Sequence, residues 1–473
     1  MQFISWQFII LFAVAMIFLL SEVKAKKYIL AVCCFIFYIS SGISGFVVLA
    51  LFTTVTYIFG VITEKHKSKL TFFVMLVLAL CPLLFYKYAG FVVHEIFRMR
   101  EITGVTVPIG ISFFTFSGVG YLVDVYKGKC GAEKNFINYF IFLSLFTCIT
   151  SGPINRSQSL LAQIKEYDRT KFCYDRCAEG FRYVLIGILL KVLVSARLAQ
   201  AITNPFNVPA QVSGLALLIA SLFFTIQIFC DFCGYSYMAY GLSKIIGIDV
   251  VQNFKAPYFS LSVTEFWRRW HISLSSWFRD YVYFPLGGSR CSKARTCVNL
   301  VITFTVSGLW HGAAWTYITW GFMNGVIIVI EKLIGFNKEV SGRTRTIVHW
   351  MVTLLLTNTM WIFFRAATLP DAILIIRKIL TDTIHGLIRL RSMASILELV
   401  SELGVTASGF VATLVGIMIF VVFEIFADRK DKPTYLLNSR KAVVRWTVYI
   451  ALIFVILIFG VTGKAGEFIY AKF

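Results

Sequence analysis

Long apolar stretches alternate along this chain with short polar ones. Apolar runs at roughly 3–20, 28–42, 45–62, 70–87, 107–125, 180–198, 212–240, 297–310, 314–332, 346–365, 408–427 and 443–462 predict helices. Most are near the length an α-helix needs to cross about 30 Å of hydrocarbon. Two stretches break this rhythm. Residues of about 136–150 are apolar, yet both flanks are expected on the same side. Residues of about 254–295 are long, aromatic and basic, with no clean span. Both read as re-entrant or interfacial segments. Irregular backbone at membrane depth is tolerated only where protein or a water-filled cavity surrounds it, so a cytosolic funnel is expected. A surface-lying amphipathic pair is the alternative. Residues 366–407 read as an external amphipathic segment, because PDAILIIRKIL has helical apolar spacing after a proline start. It caps an outer pore mouth or lies on the membrane surface. With no internal repeat and no low-complexity linker, residues 1–473 read as a single membrane-embedded, all-α domain of about 11–12 spans.

Composition removes the soluble alternative. Hydrophobic residues make up 58% of 473 and Phe alone numbers 46, more apolar surface than a soluble chain of this length buries. The net charge of +21 would suggest nucleic acid in a soluble protein. Here the cations sit in short loops, which is a topology signal, and no nucleic-acid partner is expected. The loops with Lys24, Lys26 and Lys27, with Lys65, Lys67 and Lys69, and with Lys127, Lys129 and Lys134 are basic, and the turn near Ser40–Gly45 is uncharged. This alternation places the N-terminus outside and the basic loops in the cytosol. The Asn204–Gln211 loop then falls outside. Arg429, Lys430, Lys432, Arg440, Lys441 and Arg445 mark a late cytosolic loop. The first span lacks a basic leader and a small-residue cleavage site, and reads as retained. The eleven cysteines show no disulfide framework. Cys230 and Cys233 form a CxxC that no second pair or nearby His completes, so no metal is expected.

Six histidines occur. His66 reads as solvated among lysines, and His94, His349 and His385 have no polar constellation around them. His311 lies in SGLWHGAAW, between two short apolar segments. An ionisable group at membrane depth is costly and therefore a functional candidate. Ser307, Gly308, Gly312, Ala313 and Ala314 would let a substrate pass close, and Trp310 and Trp315 would wall a narrow channel. A turn histidine bonded to a carbonyl fits the same string. His271 lies in TEFWRRWHISLSSWFRDYVYFPLGGSR, an aromatic and basic belt with Trp267, Trp270 and Trp277 near one helical face. Arg268, Arg269 and Arg279 could hold donor phosphates or lipid phosphates, or pair with Glu265 and Asp280. Asp231, in QIFCDFCGYS, needs a basic partner or the hydroxyls of Tyr235 and Ser236. A structural role fits it better than catalysis. These parts permit general-base acyl transfer, in which a neutral imidazole takes the proton of an acceptor hydroxyl as it attacks a thioester. A second histidine could orient the first or stabilise the oxyanion. No nucleophile elbow, Walker loop or dinucleotide fingerprint is present.

The segments PIGISFFTFSGVGYLVDVYKG, TSGPINR, QIFCDFCGYSYMAYGLSKIIGID, NFKAPYFSLSVTEFWRRWHISLSSWFRDYVYFPLGGSR and SGLWHGAAWTYITWGFMNG, spread over about 104–330, carry a resemblance. The chain resembles the membrane-bound O-acyltransferases, in the bacterial branch with alginate O-acetylation and teichoic acid D-alanylation proteins. The resemblance implies a ring of helices around a thin centre with a funnel to each side. It implies that His311 is the catalytic residue and that His271 lines the tunnel from the cytosolic side; Trp310, Arg268, Arg269, Trp270, Arg279 and Asp231, read from the residues around them, are the substrate-binding candidates. It implies an activated acyl thioester such as acetyl-CoA as donor, with no tightly bound cofactor. The acceptor would be a cell-surface glycan or a partner protein outside the bacterial cytoplasmic membrane. FRDYVYFPLGGSR and TSGPINR look more like the acetylation branch. Many relatives carry Asp where Tyr237 stands and His where Asn324 stands, which puts roles for those two positions in doubt. Acetyl transfer to an envelope polysaccharide is the expected function. D-alanyl transfer fed by an acidic carrier protein and non-catalytic transport of an envelope precursor are the alternatives.

Overall fold

The computed structural model describes residues 3–19, 21, 23–99, 106–338, 340–430, 432–439 and 441–461. Arg440 of the late basic loop lies outside the described residues. Among the described residues the chain is all-helical. In order, the helices are α1 (Trp6–Leu19), α2 (Lys26–Ile39), α3 (Ile43–Lys65), α4 (Lys69–Phe91), α5 (Ile111–Tyr126), α6 (Phe136–Ser144), α7 (Ser157–Lys165), α8 (Tyr174–Ile188), α9 (Ala196–Asn207) and α10 (Gly214–Ile245). There follow α11 (Val263–Arg269), α12 (Ile272–Phe278), α13 (Lys293–His311), α14 (Trp315–Ile334), α15 (Arg343–Arg365), α16 (Leu369–Arg389), α17 (Met393–Glu402), α18 (Ala407–Lys430) and α19 (Ala442–Phe459). Each of the twelve apolar stretches read from the sequence is a helix. Eight helical segments among the described residues are long and apolar enough to cross a membrane, and α1 and α5 are shorter apolar helices. The two stretches that broke the rhythm are broken here too. α6 stops at Ser144 and turns follow it, while 257–283 is a chain of short helices.

The chain groups into two compact units, with the boundaries falling inside α8 and α10. The first contains residues 1–185 and 235–252. Its core is aromatic: Phe8, Phe37 and Phe146 meet edge to face or tilted, and Tyr121 packs on Tyr139 at 4.7 Å. Gly60 makes room for this packing, since a Cβ there would stand 2.5 Å from the Tyr121 hydroxyl. Polar contacts gather the basic loops at one end of this unit. Lys26 donates to the Thr170 carbonyl at 2.6 Å, Glu64 pairs with Lys134, and Glu133 pairs with Lys165 at 3.1 Å. Tyr237 is a packing residue of this unit, buried and edge-on to Tyr183 at 5.5 Å.

The second unit, residues 186–234 and 253–472, carries every histidine and arginine singled out as a site candidate. Its long helices define two ends. α13 runs up to His311, α14 runs back from Trp315, and α15 returns to end at Arg365. The His311–Trp315 turn and Arg365 therefore share one end, with Lys293, Lys332 and Arg343 at the other. The helices of the hairpin touch backbone to backbone: a Cβ on Gly308 would lie 2.3 Å from the Tyr317 carbonyl oxygen, and one on Gly321 would lie 2.9 Å from the Gly308 Cα. The two segments expected outside meet each other at the Arg365 end. Asn204 donates to the Glu402 carbonyl at 2.8 Å, and the Asp382 carboxylate accepts the Gly214 N–H at 2.9 Å. The late basic segment belongs to the opposite end, where Asp428 of α18 pairs with Arg269 of α11 at 2.8 Å.

Candidate active site

The RRWH segment folds as two short helices, and neither would hold its shape alone. Three contacts fix them. Ser262 caps α11 by accepting the Glu265 N–H at 3.0 Å. Glu331, buried at the end of α14, accepts the Val263 and Thr264 N–H groups at 2.6 and 2.9 Å and the Thr264 hydroxyl at 2.7 Å. Residues 253–255 then zip onto the end of α11 and the start of α12: Lys255 N–H donates to the Arg269 carbonyl at 3.0 Å and Ile272 N–H to the Asn253 carbonyl at 2.9 Å.

Between α11 and α12 stands His271, at φ 44. A left-handed conformation costs a residue with a Cβ on the order of 1–3 kcal/mol and persists only where its surroundings over-determine it. The Asn253 and Lys255 bonds supply that determination. The imidazole is buried, with 1% of the residue exposed, and both ring nitrogens lack hydrogen-bond partners among the described residues. Phe232 meets it edge-on at 4.6 Å and Trp310 at 6.2 Å. Burial without a compensating charge pushes its pKa down to about 3, so the ring is neutral.

His311 ends α13 and packs against the same indole. Its ring lies 4.8 Å from Trp310, 5.1 Å from Trp320 and perpendicular to it, and 5.3 Å from Phe364. Trp310 therefore touches both histidines. Trp320 stacks on Trp361 at 5.7 Å, and Trp361 reaches Trp270 at 5.0 Å. Trp270 is buried and serves this aromatic core.

A cavity of about 570 Å³ opens below this cluster, among α11–α14. Trp267 and Ser307 line its inner part, while Arg268, Arg279 and Lys332 line it further along the same helices. Ser307 lies four residues before His311, about 6 Å along a helix. Trp267 stands edge-on to Trp320 at 5.5 Å, and Trp320 in turn touches His311. Asn324 holds both. Its Oδ1 accepts the Trp267 indole N–H at 3.1 Å, and its amide donates to the Trp320 carbonyl at 2.8 Å.

The basic candidates divide. Arg268 is exposed and makes no ion pair among the described residues, and exposed Arg279 pairs only with its half-buried neighbour Asp280. Both line the cavity. Arg269 is instead held by Glu265 at 2.7 Å and Asp428 at 2.8 Å and anchors α11. Asp231 has the basic partner the sequence asked for. Lys191 pairs with it, and the Ser195 hydroxyl donates to it at 3.0 Å, all buried. Lys191 sits in a π-helical turn, Leu189–Ser195, between α8 and α9. Such wide turns insert a residue into a helix and are often functional. One residue beyond Asp231, Phe232 presses on His271. Sequence reading missed Lys191, Glu331 and the role of Asn324. Lys191 is a lone charge in an apolar run, and that is the signal that could have found it.

A family model described as MBOAT, membrane-bound O-acyltransferase family, matches residues 131–369. The probable alginate O-acetylase of Pseudomonas aeruginosa is 40% identical over 304 residues, 63% of this chain and 57% of its own length. The peptidoglycan O-acetyltransferase of Helicobacter pylori is 29% identical over 345 residues, 67% of this chain and 66% of its length. The teichoic acid D-alanyltransferase of Bacillus subtilis is 29% identical over 335 residues, 66% of this chain and 83% of its length. The matched part spans less than two thirds of the alginate O-acetylases compared. With the family model taking in both histidines, the indole both touch and the whole cavity lining, the chain belongs to the membrane-bound O-acyltransferase family.

Proposed function

We propose that this chain is an O-acyltransferase that moves an acyl group, acetyl in the first instance, from a cytosolic thioester to a hydroxyl on the far side of the membrane. The donor enters by the cavity. Arg268, Arg279 and Lys332 suit the phosphates of a coenzyme A thioester, and the narrow inner part beside Trp267 and Ser307 suits a slim acyl arm. The basic loops face the cytosol of a bacterial cell, so His311 stands at the outward end. There the neutral His311 imidazole accepts the acceptor's hydroxyl proton as the oxygen bonds to the thioester carbonyl carbon. The C–S bond then breaks, and the departing thiolate takes the proton from His311. His271, neutral, packed on the same indole and with no hydrogen-bond partner for its ring nitrogens among the described residues, donates to the carbonyl oxygen as negative charge develops there.

The observation that carries this reading is the placement of His311, buried at the end of α13 four residues beyond cavity-lining Ser307 and followed by the turn that leads to exposed Trp315. Acetyl is chosen because the relatives named as O-acetylases are the more similar ones. The acceptor class follows their names: a surface polysaccharide, directly or through a partner protein. The test is transfer of label from acetyl-CoA to envelope polymer in membranes holding the wild-type chain or His311→Ala. Loss of about 10²–10⁴-fold is expected from removing a general base. Equal transfer by both would defeat the proposal, and label arriving only from an aminoacylated carrier protein would replace acetyl by aminoacyl.

A further inference from the structure

Three cations near the outward end of the second unit meet different fates. Lys378 donates to the Pro209 and Ala210 carbonyls at 3.2 and 3.1 Å and also to that of Val212. Arg197 donates twice to the Phe459 carbonyl, at 2.8 and 2.5 Å. Arg365, the last residue of α15, has no such acceptor. Among the described residues its guanidinium makes no hydrogen bond and no ion pair, although it is half-buried. It lies instead over the Phe206 ring, 5.4 Å from the centroid. A ring face steadies the plane of a guanidinium and leaves its edge donors pointing outward. A partly desolvated cation in that state lacks the oxygens that would satisfy it.

Its neighbours give this edge a direction. Phe364, adjacent in sequence, touches the His311 ring at 5.3 Å and the Tyr317 ring at 5.0 Å. The Tyr317 phenol is within electrostatic reach of Arg365. Gly312, next to His311, is covered by the Tyr317 ring, which a Cβ there would meet at 2.4 Å. His311, Tyr317 and Arg365 thus belong to one small neighbourhood at the end of the unit opposite the donor cavity. Trp315, exposed at the start of α14, offers an indole face in the same turn.

Resting on the acyl-transfer reading above, we infer that Arg365 is a specificity-determining residue that holds a carboxylate or phosphate of an anionic acceptor while a neighbouring hydroxyl reaches His311. The planar fork of its N–H groups matches either anion in a bidentate contact. A neutral acceptor has nothing to place there. A lipid headgroup phosphate is the same chemistry from another source. Phe364, next to Arg365, touches the His311 ring, which favours the acceptor.

The experiment is equilibrium binding to the full chain in nanodiscs of zwitterionic lipid. The probes are a uronic acid hexasaccharide, its carboxyl-reduced neutral counterpart and a glycerol phosphate oligomer. The wild-type chain is expected to bind one or both anionic probes about tenfold or more tightly than the neutral one, the scale of one charge-assisted contact. Arg365→Gln is expected to remove that preference while leaving neutral binding unchanged, and Arg365→Lys to keep part of it. The preference should persist in His311→Ala, which separates this inference from the catalytic one, since loss of transfer and loss of charge selection are read independently. An anion preference that survives Arg365→Gln, or no preference in the wild type, would overturn the inference. So would a glutamine variant that sheds co-purified phosphatidylglycerol yet binds all three probes as the wild type does, because the anion held would then be lipid.

Discussion

His271 and His311 both pack on the Trp310 indole and are almost fully buried, yet they are held in different ways. His311 ends a regular helix and is walled by rings: Trp310, Trp320 and Phe364. His271 occupies a strained, left-handed turn held by backbone bonds from Asn253 and Lys255, with a polar network close behind Phe232. The difference teaches where each can act. A ring clamped by aromatic walls at a helix end is presented towards the turn that follows it. A ring in an over-determined turn, with neither nitrogen hydrogen-bonded among the described residues, is fixed in orientation and has donor capacity to spare. The first suits proton transfer and the second suits a stationary donor.

Removing the support of one histidine without touching the other is the way to break this comparison. The largest stability effect is expected at the buried Lys191–Asp231 pair. Lys191→Met leaves a carboxylate buried with its charge uncompensated, which costs about 3–5 kcal/mol. Unfolding in detergent should show that loss, and adding Asp231→Leu should recover most of it. If Lys191→Met alone is neutral, the pair does not support the His271 side. Asn324→Ala comes next. It strands the Trp267 indole N–H and loosens Trp320, at a cost of about 1–3 kcal/mol. Steady-state kinetics should show a raised KM for the thioester with the acceptor KM unchanged, since Trp267 lines the donor cavity. A change confined to the acceptor KM would place Asn324 on the wrong side.

A further effect concerns pH. The His271 pKa is pushed down to about 3 in the folded chain, against about 6.5 for an unfolded histidine. The unfolded chain therefore binds a proton below about pH 6.5 while the folded chain does not until near pH 3. Stability from this group is complete above pH 6.5 and declines as pH falls through that window. His271→Gln should flatten the decline, as read from unfolding midpoints across pH 4–7. An identical slope in the variant would show that the ring is solvated.

Much of this was legible in the sequence because hydropathy reports burial in lipid directly. All twelve apolar stretches are helices, and the short, broken character of 257–283 follows from its lack of a clean apolar run. His271 and His311 stood out because ionisable groups are scarce in such surroundings. What was not legible depends on pairing across long separations. Arg268, Arg269 and Arg279 look alike in sequence, but Asp428, 159 residues away, takes Arg269 and leaves the other two beside the cavity. Lys191 hides in an apolar run and is explained only by Asp231. Glu331 looks like the end of a span until it is seen capping α11. Arg365 likewise looks like the flank of a span, and only Phe206 and Phe364 place it beside His311.

The most direct measurement is single-turnover transfer of labelled acetyl by His311→Ala and His271→Ala side by side, in membranes where both variants are present at wild-type levels. His311→Ala is expected to lose the chemical step by about 10²–10⁴-fold, and His271→Ala to keep a measurable step with the smaller loss. The reverse order, or full transfer by the His311 variant, would contradict the assignment of proton transfer to His311.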